Sequence, residues 1–468
     1  MWTPLLAEAA RPARIRQWRY AHWLVVGTVC FGAFMGQLDA SIVTLTFPSL
    51  STEFGASLAA VQWVSLCYLL TVVALLTPIG RLSDSVGRKR VYIYGFAVFT
   101  MASVACGLAA SLPMLLIFRV LQAAGAAMLQ ANSVALVTTS VPHGQCRTAF
   151  GVQAAAQALG LAIGPMLGGL LVAGIGWRAV FWVNVPVGML ALAAGYCLLP
   201  QTRSRRPVGT FDWAGSLLLA AASGTGLLAL SAASGLPLPW WTVGGLLVVA
   251  VSAGCGFARR QRCAAGSLID PALLRNPALP TGLLGALCGY LVLFAPLVLV
   301  PQVLPSSADR TSLAGSGLVL SALPAGFAFA ATIVSGKLPA RLSNRSRCTL
   351  GAFGCELALA IGALTGMHGP ALPPVLLLLG AALGLFTPAN NAVVMSTIPV
   401  ESAGVGSGLL NMSRAIGTAL GVAMVTLGLH IGGTDRGTCL AVCGLMLAAF
   451  VMLVIATVEP SRAHRPVS

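Results

Sequence analysis

The stretch Gly80-Arg81-Leu82-Ser83-Asp84-Ser85-Val86-Gly87-Arg88-Lys89-Arg90 decides how this chain is read. It lies between two apolar runs, at residues 59–80 and 91–111, each close to the roughly 20 residues that a membrane-crossing helix needs. Its glycines permit a tight turn between antiparallel helices. Its one acid, Asp84, can accept hydrogen bonds from a helix start or from an arginine. A short basic loop between two such runs is the connection expected in a helical membrane protein.

The rest of the chain has the same character. Of 468 residues, 57% are hydrophobic and 8% charged, against about 25% charged in soluble proteins. The mean hydropathy is +0.90. So few charges cannot cover a water-facing surface, which excludes a soluble enzyme, a secreted domain, a coiled coil and a disordered tail. About fourteen apolar runs follow one another: 22–47, 59–80, 91–111, 114–138, 148–174, 178–199, 212–234, 240–258, 278–304, 312–335, 349–368, 373–396, 404–430 and 437–457. The first follows a basic segment and has full membrane length, so it is expected to be a retained span rather than a cleaved leader.

The net charge of +16 comes from 27 Lys and Arg against 11 Asp and Glu. With the N-terminus placed inside, 22 of the 27 fall in inner segments, while only Arg178, Arg310 and Arg436 fall outside. This bias gives an even number of spans with both termini cytoplasmic. It also accounts for the basic charge without nucleic acid as a partner. Arginine outnumbers lysine heavily, Lys89 and Lys337 being the only lysines. That preference suggests a GC-rich bacterial genome and hence a bacterial plasma (inner) membrane location.

Spacings recur between the halves. Gly151-x8-Gly160-x3-Gly164 returns as Gly408-x8-Gly417-x3-Gly421, displaced by 257 residues; Gly80-Arg-Leu returns as Gly336-Lys-Leu, and Ala131-Asn132 as Ala389-Asn390. The chain therefore reads as two parallel six-span copies. The expected organisation is a basic N-terminus (1–21), a first bundle (22–199), a linker carrying two extra spans (200–275), a second bundle (276–457) and a tail (458–468). Parallel halves around a midplane site are one plan of membrane transporters.

The loop Gly80–Arg90, with Gly80, Asp84, Gly87, Arg88 and Arg90, resembles the signature loop of the major facilitator superfamily. Ser85 stands where that family commonly has arginine, and the second copy has Ala340 in place of the acid. Gly151, Gly160, Gly164, Pro165, Gly168 and Gly169 are similar to the antiporter motif of the superfamily's exporters. The glycines alone imply only close helix packing and the proline a bend. Leu38-Asp39-Ala40-Ser41 through Pro48 resembles the first-span motif of the fourteen-span drug:proton antiporters, with Ser41 and Thr44 as mild departures. Phe118-Arg119-Val120-Leu121-Gln122 resembles the span-four motif, and Trp177-Arg178 through Gly188 the start of span six. The resemblance implies an all-α major facilitator fold of two six-helix bundles plus two linker helices, and proton-driven export by alternating access.

A carboxylate as deep as Asp39 is costly in a membrane and is a functional candidate by default. It is either the proton-exchanging group, with Arg119 tuning it, or one half of a structural ion pair. Gln122, Asn132, Gln153, Asn390 and Arg414 are candidates to line a largely apolar cavity, or else serve as helix–helix glue. Glu356 is a further intramembrane acid of open role. The five histidines show no metal-ligand spacing, no phosphate-binding loop is present, and the 12 cysteines lack a CxxC pair. No metal and no cofactor is expected. The expected partners are a small hydrophobic substrate, with organic cations, antibiotics or secreted metabolites all admitted, protons, and the lipid bilayer, around a monomer. Uptake by symport, a membrane-embedded enzyme and a transport-dead sensor are the alternatives.

Overall fold

A computed structural model describes residues 11–201, 212–233, 239–263, 273, 276–303, 310–339, 342–367 and 369–457. Expectations for residues 1–10, for much of the linker at 202–211 and 264–272, for Ala340 and for the tail 458–468 lie outside the described residues. Within them the protein is helical throughout, with no strand. Twelve helices are long and apolar enough to cross a membrane, and two more apolar helices, Trp213–Ala229 and Val319–Val334, are shorter. The expected count of fourteen spans is therefore approximate, although every expected run is helical.

The chain divides into two compact units. The first comprises Met1–Leu268 with Pro399–Met412, and the second Ile269–Ile398 with Ser413–Ser468. The first unit contains α1 (Ala21–Ile42), α2 (Phe47–Phe54), α3 (Leu58–Val86), α4 (Arg88–Gly107), α5 (Leu112–Ser140), α6 (Cys146–Gly174), α7 (Arg178–Trp182), α8 (Asn184–Leu198), α9 (Trp213–Ala233) and α10 (Trp240–Cys263). The second contains α11 (Ala278–Val303), α12 (Arg310–Phe329), α13 (Asn344–Thr365), α14 (Leu372–Ser396) and most of α15 (Ala403–Thr457).

Local chemistry sets several helix ends. Ser57, Ser111 and Ser343 cap α3, α5 and α13, each hydroxyl accepting from the backbone N–H three residues on. Gly87 joins α3 to α4 at φ +117°, a left-handed backbone that only glycine adopts readily. The first span runs past its expected end. A 3-10 turn at Val43–Thr46 leads into α2, with Pro48 in the first turn, where its missing N–H is harmless.

Helix α15 is continuous by its hydrogen bonding, yet it cannot be straight. A Cβ on Gly437 would lie 2.6 Å from Leu429 Cα and 2.7 Å from the Gly428 carbonyl oxygen. In a straight helix those residues stand about 13 Å apart. The chain therefore doubles back near Gly432–Gly437, where the sequence places its last outer loop. Outward faces are apolar, as lipid requires: Leu364 is 89% exposed and Trp213 75%. Helices α9 and α10 pack on each other, and α9 lies against α3.

Candidate ion-pair centre in the first unit

Asp39 sits on the last turn of α1 and is fully buried. Arg119, from the first third of α5, is 1% exposed, and its Nη1 donates to Asp39 Oδ2 at 2.7 Å. The same Nη1 donates to Gln122 Oε1 at 2.7 Å, and Nε donates to the Val64 carbonyl at 2.9 Å. Gln122 Nε2 donates to Asp39 Oδ1 at 3.0 Å and to Ser103 Oγ at 2.8 Å. Asn184, at the start of α8, adds a longer bond from Nδ2 to Asp39 Oδ1 at 3.3 Å. Five helices thus converge on one carboxylate.

The arrangement follows from what burial demands. A charge taken out of water must be paired and its remaining lone pairs satisfied. Here a guanidinium and two amides do so. Gln122 sits one helical turn beyond Arg119, so its carbonyl and amide ends reach the cation and the anion together. Above the pair, Ile42, Val43, Val61, Val64, Cys106 and Phe181 belong to one buried apolar cluster, so water is excluded on that side.

The signature loop holds a second buried pair. Arg88 lies 2.8 Å from Asp84, through Nη2 to Oδ1. The other donors to Asp84 are the backbone N–H groups of Gly404, at 2.9 Å, and Val405, at 3.1 Å. Asp84 is therefore the cap on the first turn of α15, a carboxylate at the positive end of a helix. Ser85 takes no part; its hydroxyl donates to the Leu82 carbonyl. The Asp–Arg pair is made with Arg88, one turn along. A Cβ on Gly404 would fall 2.5 Å from the Gly80 carbonyl and 2.6 Å from Ser83 Oγ, so α3 and the start of α15 touch backbone to backbone. Arg90 Nη1 reaches its own chain at Val86 O, 3.3 Å away.

The glycines of α6 face α1. A Cβ on Gly160 would lie 2.5 Å from the Phe34 carbonyl, one on Gly164 would collide with Ser41 Oγ, and one on Gly168 would sit 2.7 Å from Ile42 Cγ1. These three therefore form the close-packing face, directly against the helix that carries Asp39. Gly169 differs: nothing stands within 4 Å of its Cβ position. Gly151 is buried near the start of α6, and Pro165 lies further along the same helix. In the second unit Gly421 repeats the packing, its Cβ position 2.7 Å from the Leu291 carbonyl of α11.

The other polar candidates are dispersed. Asn132 donates to Met128 O within α5, at 2.9 Å, and its Oδ1 has no partner. Gln153 is buried with its Nε2 unpartnered. In the second unit Asn390 donates to Gly282 O at 2.9 Å and lines a small cavity of about 80 Å³ with Arg345 and Phe386. Arg414 lies 5.2 Å from the Tyr290 ring centroid. Glu356, on α13, has one buried oxygen without a partner.

Sequence reading missed three things. Tyr68 packs its ring against Arg119 at 4.2 Å. Glu53 accepts from Trp177 Nε1 at 2.6 Å and pairs with Arg178 at 2.7 Å, tying the end of α2 to the start of α7. Lys89 Nζ caps the end of α8 through the carbonyls of Leu199 (2.7 Å) and Tyr196 (3.0 Å). The last has a counterpart in the other unit at nearly the repeat offset. In the second unit, Arg345 Nε donates to the Ala456 carbonyl at 3.1 Å, and Ala456 is Leu199 displaced by 257 residues.

Among the described residues no group of three or more His, Cys, Asp or Glu side chains could hold a metal ion.

The sequence pattern of the Major Facilitator Superfamily matches residues 29–422. The tetracenomycin C resistance and export protein of Streptomyces glaucescens is 31% identical, over 86% of this chain and 75% of its own. A multidrug resistance protein of Mycobacterium tuberculosis is 31% identical over 84% of this chain and 73% of its own. The riboflavin transporter of Clostridioides difficile is 29% identical over 85% and 87%. Among solved structures, a human organic anion transporter superposes with a TM-score of 0.66 at 17% identity, covering 92% of this chain and 99% of that one. A proton:xylose symporter does so with 0.65 at 13% identity, covering 92% and 95%. At those identities the two structures speak for the fold alone.

Proposed function

This chain belongs to the major facilitator superfamily of membrane transporters, and from that premise we propose that it is a proton-coupled antiporter that exports hydrophobic small molecules. The observation that carries the proposal is the buried ion pair of Asp39 and Arg119, closed by Gln122 and Asn184. A titratable group in a membrane span, paired and hydrogen-bonded out of water, has the chemistry of a coupling site. Resistance and export proteins among its relatives support the direction and the substrate class.

On this reading the carboxylate alternates between two states. Ionised, it holds Arg119 and the two amides. Protonated, it releases them, and the helices α1, α5 and α8 that carry them are free to shift. Residues 22–199 and 276–457 act as the two bundles of an alternating-access cycle, and the linker 200–275 adds the pair α9–α10. Driving energy suffices for useful accumulation: one proton moved down one pH unit releases about 1.4 kcal/mol, a tenfold concentration ratio for one exchanged cation.

Proteoliposomes with an imposed pH gradient test the proposal, using ethidium as the probe cation and a protonophore as control. Antiport predicts that ethidium accumulates on the acidic side and that the protonophore abolishes the accumulation. Accumulation on the alkaline side, together with protons, would instead establish symport. Downhill equilibration indifferent to the gradient would remove proton coupling.

A further inference from the structure

The ring of Tyr68 lies under the Arg119 guanidinium, with its centroid 4.2 Å from Cζ. Tyr68 projects from α3, is 5% exposed, and its hydroxyl oxygen has no hydrogen-bond partner. Buried tyrosine hydroxyls ordinarily find one. What this side chain brings to the centre is therefore its ring face. Phe181, from α7, stands further off at 5.8 Å.

We propose that Tyr68 is a positioning residue of the proton switch: its ring holds the Arg119 cation while Asp39 is protonated. The inference rests on Asp39 being the coupling carboxylate. When Asp39 is ionised, Arg119 Nη1 is shared between Asp39 Oδ2 and Gln122 Oε1. When Asp39 takes a proton, the cation loses its counterion while remaining in a dry site. The contacts left to it are Gln122 Oε1, the Val64 carbonyl and the Tyr68 ring. Of these, the ring alone answers the charge over a whole face rather than at one N–H. A guanidinium stacks well in that way.

The sign of the effect follows. The negative face of the ring attracts the bare guanidinium and disfavours a second negative charge beside it. A guanidinium freed from Asp39 can also settle fully on the ring. Both effects favour the state in which Asp39 is neutral and Arg119 unpaired, so the ring makes proton uptake easier. The other titratable groups facing the pair are thiols: Cys67 on α3 and Cys106 on α4, whose sulfur lies 3.7 Å from Gln122 Oε1. Helices α7 and α8 contribute Phe181 and Asn184.

The experiment is an infrared titration of reconstituted protein, reading the protonated-carboxyl band that disappears in Asp39→Asn. Tyr68→Leu removes the ring and should lower the midpoint of that band by roughly half to one pH unit. Tyr68→Phe keeps the ring without the hydroxyl and should titrate as the wild type does. It also guards against a folding defect at this position. A Tyr68→Leu protein with the wild-type midpoint would overturn the inference. So would a Tyr68→Phe shift as large as that of Tyr68→Leu, since the hydroxyl would then be the active part. Absence of any Asp39-dependent titrating band in the wild type would instead remove the coupling role of Asp39, and the inference with it.

Discussion

Arg119 donates from Nη1 to Asp39 Oδ2 at 2.7 Å, joining two helices whose paired residues lie 80 positions apart. Neither side chain is accessible, at 1% and 0% exposure. Removing one member of such a pair leaves an uncompensated charge, a change of about 3–5 kcal/mol. Arg119→Gln should therefore unfold at lower temperature than wild type, and Asp39→Asn combined with Arg119→Gln should recover most of that loss. A thermal-shift cycle over the four proteins in detergent measures the coupling. Additive effects would show that the two residues do not depend on one another.

Arg119→Lys keeps the charge yet should fail. Lysine has a single ammonium and cannot reproduce guanidinium bonds to Val64 O, Gln122 and Asp39 at once. Gradient-driven ethidium accumulation in proteoliposomes should fall at least about tenfold, equivalent to about 1.4 kcal/mol, with insertion unchanged. Accumulation at the wild-type rate would show that charge alone is what the site needs.

Gly164 tests the packing of α6 on α1. Its Cβ position is occupied by Ser41 Oγ, so Gly164→Leu must push the Asp39 helix away. Transport per folded molecule should collapse, or the protein should leak protons. Gly169→Leu, where the space is open, should transport as wild type does. Equal effects at the two positions would mean that the glycine face plays no part beyond general stability.

Asp84 caps α15 from a position 320 residues earlier in the chain. Asp84→Ala removes two N–H acceptors and the partner of Arg88. It should lower stability by at least about 2 kcal/mol, the upper end for a lost helix cap, because Arg88 also loses its buried counterion. Asp84→Asn, which keeps an acceptor but loses the charge, should fall between. Thermal unfolding read by intrinsic fluorescence checks the order, and an Asn variant worse than Ala would contradict the capping account.

Helices α9 and α10 should lie outside the transport pathway. Val248 is 68% exposed and Trp241 64%, on faces as apolar as lipid-facing positions elsewhere. A cysteine at Val248 should react with a lipid-soluble maleimide at a rate unaffected by ethidium. Protection by ethidium would place this pair in the pathway.

The parts of this molecule that were legible in its sequence are those in which residue type is forced. An apolar run long enough to span lipid must be helical, so the runs appear as helices, although the last two share one helix by its hydrogen bonding. A carboxylate and an arginine inside such runs must find each other, and Asp39 and Arg119 do. The small residues at Gly160, Gly164 and Gly168 had to mark a close approach of two helices, although the partner, α1, could not be named. What was hidden depends on backbone atoms. Lys89 reaching the Leu199 carbonyl, and Asp84 reaching the N–H groups of Gly404 and Val405, leave no trace in side-chain chemistry, because every residue but proline offers the same donor and acceptor. Tyr68 was hidden for another reason: an aromatic ring in a membrane span reads as packing until the cation beside it is located. For Gln122 the sequence leaves cavity lining and helix–helix bonding both open; one helical turn from Arg119, it bonds to both charges and to Ser103, as the second alternative has it.

The coupling role of Asp39 is tested most directly by ethidium movement in Asp39→Asn proteoliposomes, with and without a pH gradient. Asp39→Asn should still exchange ethidium downhill but lose gradient-driven accumulation, while wild type performs both. Accumulation by Asp39→Asn at the wild-type level under the same gradient would contradict it.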